Sequence, residues 1–277
     1  MQIPGYMNRI ARHRFLQRLF WSPPGLAVVQ FYRKAVMRWE HVVMNRSLFA
    51  ECNGEFWLCS LLPEEPTVLD VGFNRGDFSR EVVRQRPKAR VVGFDPSQIM
   101  QALFRQDFDG EKRIELIPYA ASDRESKLGF CDLGNGNSAV AADAARETST
   151  CQVDAIRLDD FVEARGWEQI DLLKIDAEGH DLNVIEGASR LLDRQVIAMF
   201  SFEFNAPWID SRRFLKEACS YIESKPYRVF RLFNGFLVPF KYSHTAERHD
   251  LGCNYVGVSQ ARLSREDIVI RDRQMLV

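Results

Sequence analysis

The stretch TVLDVGFNRG, Thr67 to Gly76, decides how the rest of the chain is read. Val68 to Val71 form a short apolar strand that carries Asp70 and runs into a loop with Gly72, Asn74 and Gly76. The segment FSREVVRQR follows at once with the composition of a helix. Strand, glycine loop and helix in that order place backbone N–H groups and a helix N-terminus beside a ligand. Gly72 and Gly76 permit backbone angles and a close approach that a side chain would obstruct. Just under twenty residues beyond Gly76, a second apolar strand, Val91 to Phe94, ends in Asp95. A carboxylate at that distance is placed to accept hydrogen bonds from the hydroxyl pair of a ribose. The glycines read Asp-x-Gly-x-x-x-Gly, not the Gly-x-Gly-x-x-Gly of nicotinamide dinucleotide sites. The stretch therefore predicts a nucleoside cofactor of another kind.

Bulk properties narrow the class. The chain has 277 residues, 46% hydrophobic and 27% charged, which is ample material for a core. Its formal net charge is −1, so nothing global favours nucleic acid as a partner. The charge is uneven, because residues 1–46 carry Arg9, Arg12, Arg14, Arg18, Arg33, Arg38, Arg46 and Lys34 against Glu40. The six cysteines are scattered without a CxxC pair or a histidine at zinc spacing, and they read as buried thiols of a cytoplasmic protein. No apolar run approaches the ~18–20 residues of a membrane span. The arginine-rich N-terminus lacks the continuous apolar core of a secretory signal.

Residues 8–21, NRIARHRFLQRLFW, read as a basic amphipathic helix stopped by Pro23-Pro24-Gly25. A second helical stretch runs from Leu26 to Met44. Together, residues 1–55 form an N-terminal helical extension that covers the following domain or a second copy in a homodimer. The alternatives are peripheral contact of residues 8–21 with an anionic membrane surface, where each nearby cation contributes about 1 kcal/mol, and contact with a substrate phosphate. The main domain spans 56–262 and a charged tail 263–277. Within the domain, Arg90–Asp95, Ile114–Ala121, Ile170–Ile175, Val196–Phe204, Tyr227–Phe233 and 253–258 read as strands, with Asn234-Gly235 turning the sixth into a hairpin partner, FLVPF. Residues 127–156 break the strand–helix rhythm and read as an inserted hairpin edging the sheet, its Asn/Gly-rich tip either a surface turn or a border of the substrate.

The second anchor is IDLLKIDAEGHD, Ile170 to Asp181. Leu172, Leu173 and Ile175 build a buried strand, and Asp176, Glu178 and His180 cluster where it ends. Ligands of doubly wound sheets sit at the carboxyl ends of strands around the topological switch, here the loops after Val71 and Ile175. Asn205-Ala206-Pro207-Trp208 superficially resembles the Asn-Pro-Pro-aromatic motif of nucleic-acid amino-methyltransferases. It lacks the first proline and follows the fifth strand, so it is discounted.

The residues VLDVGFNRG (68–76), GFDPS (93–97), AASD (120–123), LDD (158–160) and, above all, LLKIDAEGHDLNVIEGA (172–188) together resemble the FkbM-type methyltransferases. The resemblance covers about residues 60–258. It implies a Rossmann-like methyltransferase fold: a mostly parallel seven-stranded sheet with helices on both faces and an antiparallel last strand. It implies S-adenosylmethionine as donor, bound by Asp70, Gly72, Asn74, Gly76, Asp95 and Ser122. It implies a hydroxylated small molecule as acceptor, often a sugar or glycan, and a lipid-linked glycan would unite that preference with the basic N-terminus. Phe73 and Arg75 stand where small or aliphatic residues are usual, and Arg75 invites contact with an anionic acceptor.

An alcohol is a poor nucleophile until a base takes its proton. His180, at a helix N-terminus that favours the neutral imidazole, is the first candidate base, and Glu203 on the neighbouring strand end is the second. Asp176 and Glu178 complete the catalytic set, or instead hold a divalent cation that acidifies the hydroxyl, the less favoured alternative. The rival functions are a nicotinamide oxidoreductase, a nucleic-acid methyltransferase, and a non-catalytic S-adenosylmethionine-binding protein indifferent to loss of His180 and Glu203.

Overall fold

The computed structural model describes residues 54–132, 139–140, 150–247, 253–265 and 267–271, with isolated positions between 22 and 35. The expected basic helix at 8–21 and most of the tip of the insertion lie outside the described residues. The chain divides into two units, Met1–Phe49 and Ala50–Val277. In the first, Pro24, Ala27, Val28, Gln30, Phe31, Tyr32 and Ala35 are helical, within or just before the expected second helical stretch. No helix among the described residues is long and apolar enough to cross a membrane.

The second unit opens with α1 (Glu55–Leu58), continued by a short 3-10 turn at Cys59–Leu61. The nucleotide-type half follows as β1 (Thr67–Val71), α2 (Asp77–Gln85), β2 (Arg90–Phe94), α3 (Gln98–Asp107) and β3 (Ile114–Ile117). Next come β4 (Ala120–Ala121), β5 (Ser126–Cys131), β6 (Ala139–Val140), β7 (Thr150–Ile156) and α4 (Leu158–Ala164). The second half consists of β8 (Ile170–Ile175), α5 (Asp181–Glu186), α6 (Ser189–Asp193), β9 (Ile197–Phe204), α7 (Pro207–Asp210) and α8 (Leu215–Glu223). It closes with β10 (Tyr227–Phe233), β11 (Phe236–Pro239), β12 (Cys253–Ser259) and α9 (Gln260–Leu263).

The main sheet has eight strands in the order β11-β10-β12-β9-β8-β1-β2-β3. β1 pairs in parallel with both β2 and β8, so the chain reverses its direction of travel across the sheet at this pair. β12 is antiparallel to both its neighbours, as expected for the last strand. The hairpin strand β11 adds one strand to the expected seven and is itself extended by Ile270, which bridges Leu237. The tail thus contributes to the sheet edge.

The two sheet faces explain the strand sequences. On one face Leu69, Leu173, Ile175, Phe200 and Phe202 pack with Leu158, Leu182, Ile185 and Ile222 of α4, α5 and α8. On the other face Val68, Leu172, Met199 and Val256 pack with Leu58, Phe78 and Val82 of α1 and α2. A strand covered on both faces must be apolar almost throughout, which is why β8 reads as a continuous apolar run interrupted by Asp171 and Lys174.

Four details depart from the sequence expectations. The third strand is cut at Pro118 and Tyr119 into β3 and β4, since proline offers no N–H to a ladder. The insertion does form an antiparallel hairpin, β5 with β7, but it joins β4 in a separate four-stranded sheet, β4-β7-β5-β6, and does not edge the main one. The helix expected from Asp181 to Leu192 is split into α5 and α6. At the break, Gly187 lies so close to Ser122 that a Cβ would sit 2.0 Å from its carbonyl oxygen. The fully buried Asp159 then starts the second piece by accepting the N–H groups of Arg190 and Leu191, both at 3.1 Å. Finally, Cys59 and Cys219 are buried, as the thiol reading expects, but Cys151 is exposed on the hairpin.

Phe200, at 1% exposure, stands against Tyr227 and over Gly257, where a Cβ would lie 2.3 Å from its ring. Phe200→Ala opens a cavity in the middle of the sheet. Urea unfolding should show a loss of about 3–5 kcal/mol relative to the parent.

Candidate active site

At the carboxyl ends of β1, β2 and β8, where the strand order reverses, lies a cavity. Its walls include Gly72, Asn74, Phe94, Asp95, Met100, Ala121, Phe130, Asp176, Glu178 and His180. This is where an open α/β sheet holds a ligand, because neighbouring loops diverge there and leave a crevice.

One side of the cavity joins a tight glycine loop to a buried carboxylate and an apolar wall. Gly72 (φ 76°) brings β1's loop against the next strand end, where a Cβ would meet the Asp176 carbonyl oxygen at 1.8 Å. Asn74 takes the left-handed conformation (φ 50°) that asparagine tolerates better than most residues. Its N–H donates to Asp95 Oδ2 at 2.8 Å, while the Ser97 N–H donates to Oδ1 at 2.9 Å. These two bonds orient the carboxylate and leave each oxygen a lone pair for a further donor. Burial raises the Asp95 pKa to about 6, against the pull of the two N–H groups. Phe94, Met100, Ala120, Ala121 and Phe130 supply the apolar wall. Phe73 turns away from the cavity. It is buried with Phe104 and Phe108, ring centroids 5.5 Å from each, and lies over Gly93. Arg75 is exposed and is not among the residues that line this cavity.

The opposite wall is a cluster of acids. Lys174, at 5% exposure, donates to the Gly72 carbonyl at 3.2 Å and to Asp176 at 3.3 Å, and lies 3.6 Å from Asp70. Burial alone would lower its pKa, but Asp176, Asp70 and Glu55 outweigh that and keep the ammonium protonated. Asn205 Nδ2 bridges Glu203 Oε2 at 3.0 Å and Glu178 Oε2 at 3.3 Å. Burial first, and then repulsion from Asp176, raises both Glu178 and Glu203 to about 7. Glu55 of α1 belongs to the same field and is pushed up to about 8 by burial. Glu178 holds a left-handed backbone (φ 48°), followed by Gly179 at φ 89°. Such strain in a non-glycine residue costs about 1–3 kcal/mol and clusters at functional loops. The loop is held by Asp181, which accepts the Gly179 N–H at 3.0 Å. Among the described residues, no group of three or more His, Cys, Asp or Glu side chains is arranged to hold a metal ion.

His180 forms the third wall. Its Nε2 lies 2.9 Å from Ser122 Oγ, which lies 3.0 Å from Asp123 Oδ1. A carboxylate only accepts, so the serine proton goes to Asp123 and Nε2–H donates to Ser122, leaving the lone pair on Nδ1. Burial lowers the His180 pKa to about 4. The imidazole is neutral, then, chiefly for want of solvent.

The chain's segment 70–229 matches the family model described as the methyltransferase FkbM domain. The chain belongs to the FkbM methyltransferase family. It is 29% identical over 154 residues to 2-O-methyltransferase NoeI of Sinorhizobium fredii, a match covering 50% of this chain and 63% of that protein. It is 24% identical over 193 residues to Methyltransferase 1 of Beauveria bassiana, covering 60% and 74%. Among solved structures, cofactor-bound Rv0187 from MTB aligns over 90% of this chain and 95% of that chain at 12% identity and a TM-score of 0.44.

Of the residues expected to bind the cofactor, Gly72, Asn74 and Asp95 line the cavity of this FkbM domain. Asp70, Gly76 and Ser122 stand behind it: Asp70 accepts from Ser79 Oγ at 2.6 Å, Gly76 closes the loop by donating to the Phe73 carbonyl at 2.8 Å, and Ser122 meets His180. Of the expected catalytic residues, Asp176, Glu178 and His180 line it, and Glu203 lies one bridge behind through Asn205. Asn205, discounted as a motif residue, is thus part of the site for another reason. Lys174, Glu55 and Phe130 were not legible as site residues, although a lysine inside the run LLKI is a signal, since a buried lysine needs partners. In Asp95→Ala the Asn74 and Ser97 N–H groups lose their charged acceptor, and a bound ribose loses it too. Calorimetry with S-adenosylhomocysteine should show affinity falling ten- to a hundredfold.

Proposed function

We propose that this protein transfers the methyl group of S-adenosylmethionine to a hydroxyl of a sugar or other polyhydroxylated small molecule. The observation that carries the reading is the placement of Glu178, a strained carboxylate raised to about 7, in the wall that faces the nucleoside side of one cavity. The 2-O-methyltransferase NoeI, similar over half of this chain, supports oxygen as the methyl acceptor.

The bound donor supplies an electrophilic methyl group on a sulfonium. Everything else falls to the chain. The glycine loop and Asp95 fix the nucleoside end, so the methyl carbon is held in line with an acceptor oxygen, and alignment of this kind supplies much of the rate. As the new C–O bond forms, the hydroxyl proton must leave, and Glu178 is the group on the cavity wall whose affinity for it matches neutral pH. Asn205 holds Glu178 beside Glu203, and repulsion between the two carboxylates couples their titrations. In this reading His180 is a positioning residue, because a base near 4 is too weak for the task. A nucleic-acid acceptor fits poorly, since its phosphates would meet Asp176, Glu178 and Glu203.

The assay is methyl transfer from radiolabelled donor to a panel of methyl glycosides. Glu178→Gln should lower kcat by about 10²–10⁴ while leaving donor affinity within threefold. The base must be ionised, so kcat/KM should rise with pH through about 7 and level off above it. An acid limb near 4 instead would assign the base to His180.

A further inference from the structure

Asp132, the residue after β5, reaches from the hairpin to the turn between β2 and α3. Its Oδ1 accepts the Ser97 hydroxyl at 2.8 Å, and its Oδ2 accepts the Gln98 N–H at 3.1 Å. Both donors sit at the N-terminus of α3, a ten-residue helix capped by Ser97. Ser97 is 1% exposed, and its N–H and hydroxyl are both committed. The N–H donates to Asp95 Oδ1, while Oγ accepts the Met100 N–H at 3.2 Å and gives its proton to Asp132. Asp95, Ser97 and Phe130, two residues before Asp132, all line the cavity. Asp132 thus stands directly behind the part of the wall where a ribose hydroxyl pair would donate to Asp95.

A helix N-terminus is a ready receptor for phosphate, since its first N–H groups lack partners within the helix and its dipole favours negative charge. At α3 that receptor begins two residues after Asp95. A phosphate on the 2′- or 3′-hydroxyl of a ribose falls within reach of this turn, because the hydroxyl it replaces is one that meets Asp95. The chain fills the place with its own anion. Gln98 N–H and Ser97 Oγ–H go to Asp132, Met100 N–H to Ser97, and Ser97 N–H to Asp95. Among the described residues that line the cavity there is no lysine or arginine to draw a phosphate elsewhere. The second carboxylate is felt by the first: after burial, repulsion from Asp132 is among the influences that raise Asp95 to about 6. A site that presents filled donors and two like charges rejects an anion as well as accepting a neutral sugar.

We propose that Asp132 is a specificity-determining residue of the donor site: by filling the N-terminus of α3 with a carboxylate beside Asp95, it admits nucleosides with a free ribose and turns away those phosphorylated at the 2′- or 3′-hydroxyl. This rests on the reading of the cavity as an S-adenosylmethionine site. Asp132 acts through Ser97 and through its charge, and it touches no reacting atom.

The test is calorimetric titration of the full chain with S-adenosylhomocysteine, adenosine, adenosine 2′-monophosphate and adenosine 3′-monophosphate, at a mildly alkaline pH where Asp95 is ionised. The parent should bind adenosine at least tenfold more tightly than either monophosphate. Asp132→Asn removes the charge and keeps an oxygen for the Ser97 hydroxyl. It should narrow that ratio at least threefold while holding S-adenosylhomocysteine within threefold of the parent, which also reports folding. Asp132→Ala, which gives up both hydrogen bonds, should show the same narrowing with weaker S-adenosylhomocysteine. A purely structural role lowers adenosine and the monophosphates by one factor, so an unchanged ratio in the variants overturns the proposal. Loss of S-adenosylhomocysteine in both variants does the same. A parent that binds S-adenosylhomocysteine but does not prefer adenosine to the monophosphates, or binds no adenosine, also overturns it and leaves the methyltransferase reading standing. Failure of the parent to bind S-adenosylhomocysteine overturns both.

Discussion

The arrangement depends on one buried ammonium group. Lys174 sits in a strand that is apolar apart from it and Asp171, inside a field of carboxylates, and its Nζ reaches the Gly72 carbonyl and Asp176 together. Gly72 belongs to the loop after β1 and Asp176 to the loop after β8. A single cation thus ties the two strand ends across which the chemistry is proposed to occur. Its charge also lowers the proton affinity of Glu55, Glu178 and Glu203, holding in check the rise that burial imposes. Breaking such a buried pairing leaves uncompensated charge, a cost of about 3–5 kcal/mol, so the lysine is bound into the fold as well as into the site.

Around that point the sheet changes character along its length. On the face of Val68, Leu172 and Met199 it is packed and dry, yet two residues further along the same strands stand Asp70, Lys174 and Ser201, and next Gly72, Asp176 and Glu203. The period of two that builds the core therefore delivers a polar shelf at the strand ends without any change of register. The other face stays apolar almost to the strand ends, with Phe202, Phe204 and Trp208 packed together and the Trp208 indole N–H bonded to the Glu203 carbonyl at 2.8 Å. Rigid packing on one side fixes the position of carboxylates on the other.

Departures from a bare methyltransferase pattern have local explanations. Phe73 serves the core, in an aromatic cluster completed by Phe104 and Phe108 under Arg80. The LDD sequence serves the fold, since Asp159 starts α6. Serine and aspartate of AASD act through His180 and Asn183, not on the cavity surface itself.

The local signals were strong wherever a single segment decides its own structure. The glycine loop, the Asp95 strand, the Asn234-Gly235 turn and the apolar run Leu172–Ile175 each carry their geometry in neighbouring residues, and so the order of the elements and the position of the cavity could be read along the chain. What stayed hidden depends on pairing between distant segments. Asn205 joins Glu178 to Glu203 only because β8 and β9 are neighbours, and Pro118 sends the hairpin to a second sheet. The proton affinities of Glu178, Glu203 and His180 belong to this second class, because burial dominates each of them, and burial is a property of the folded whole that no run of residues states.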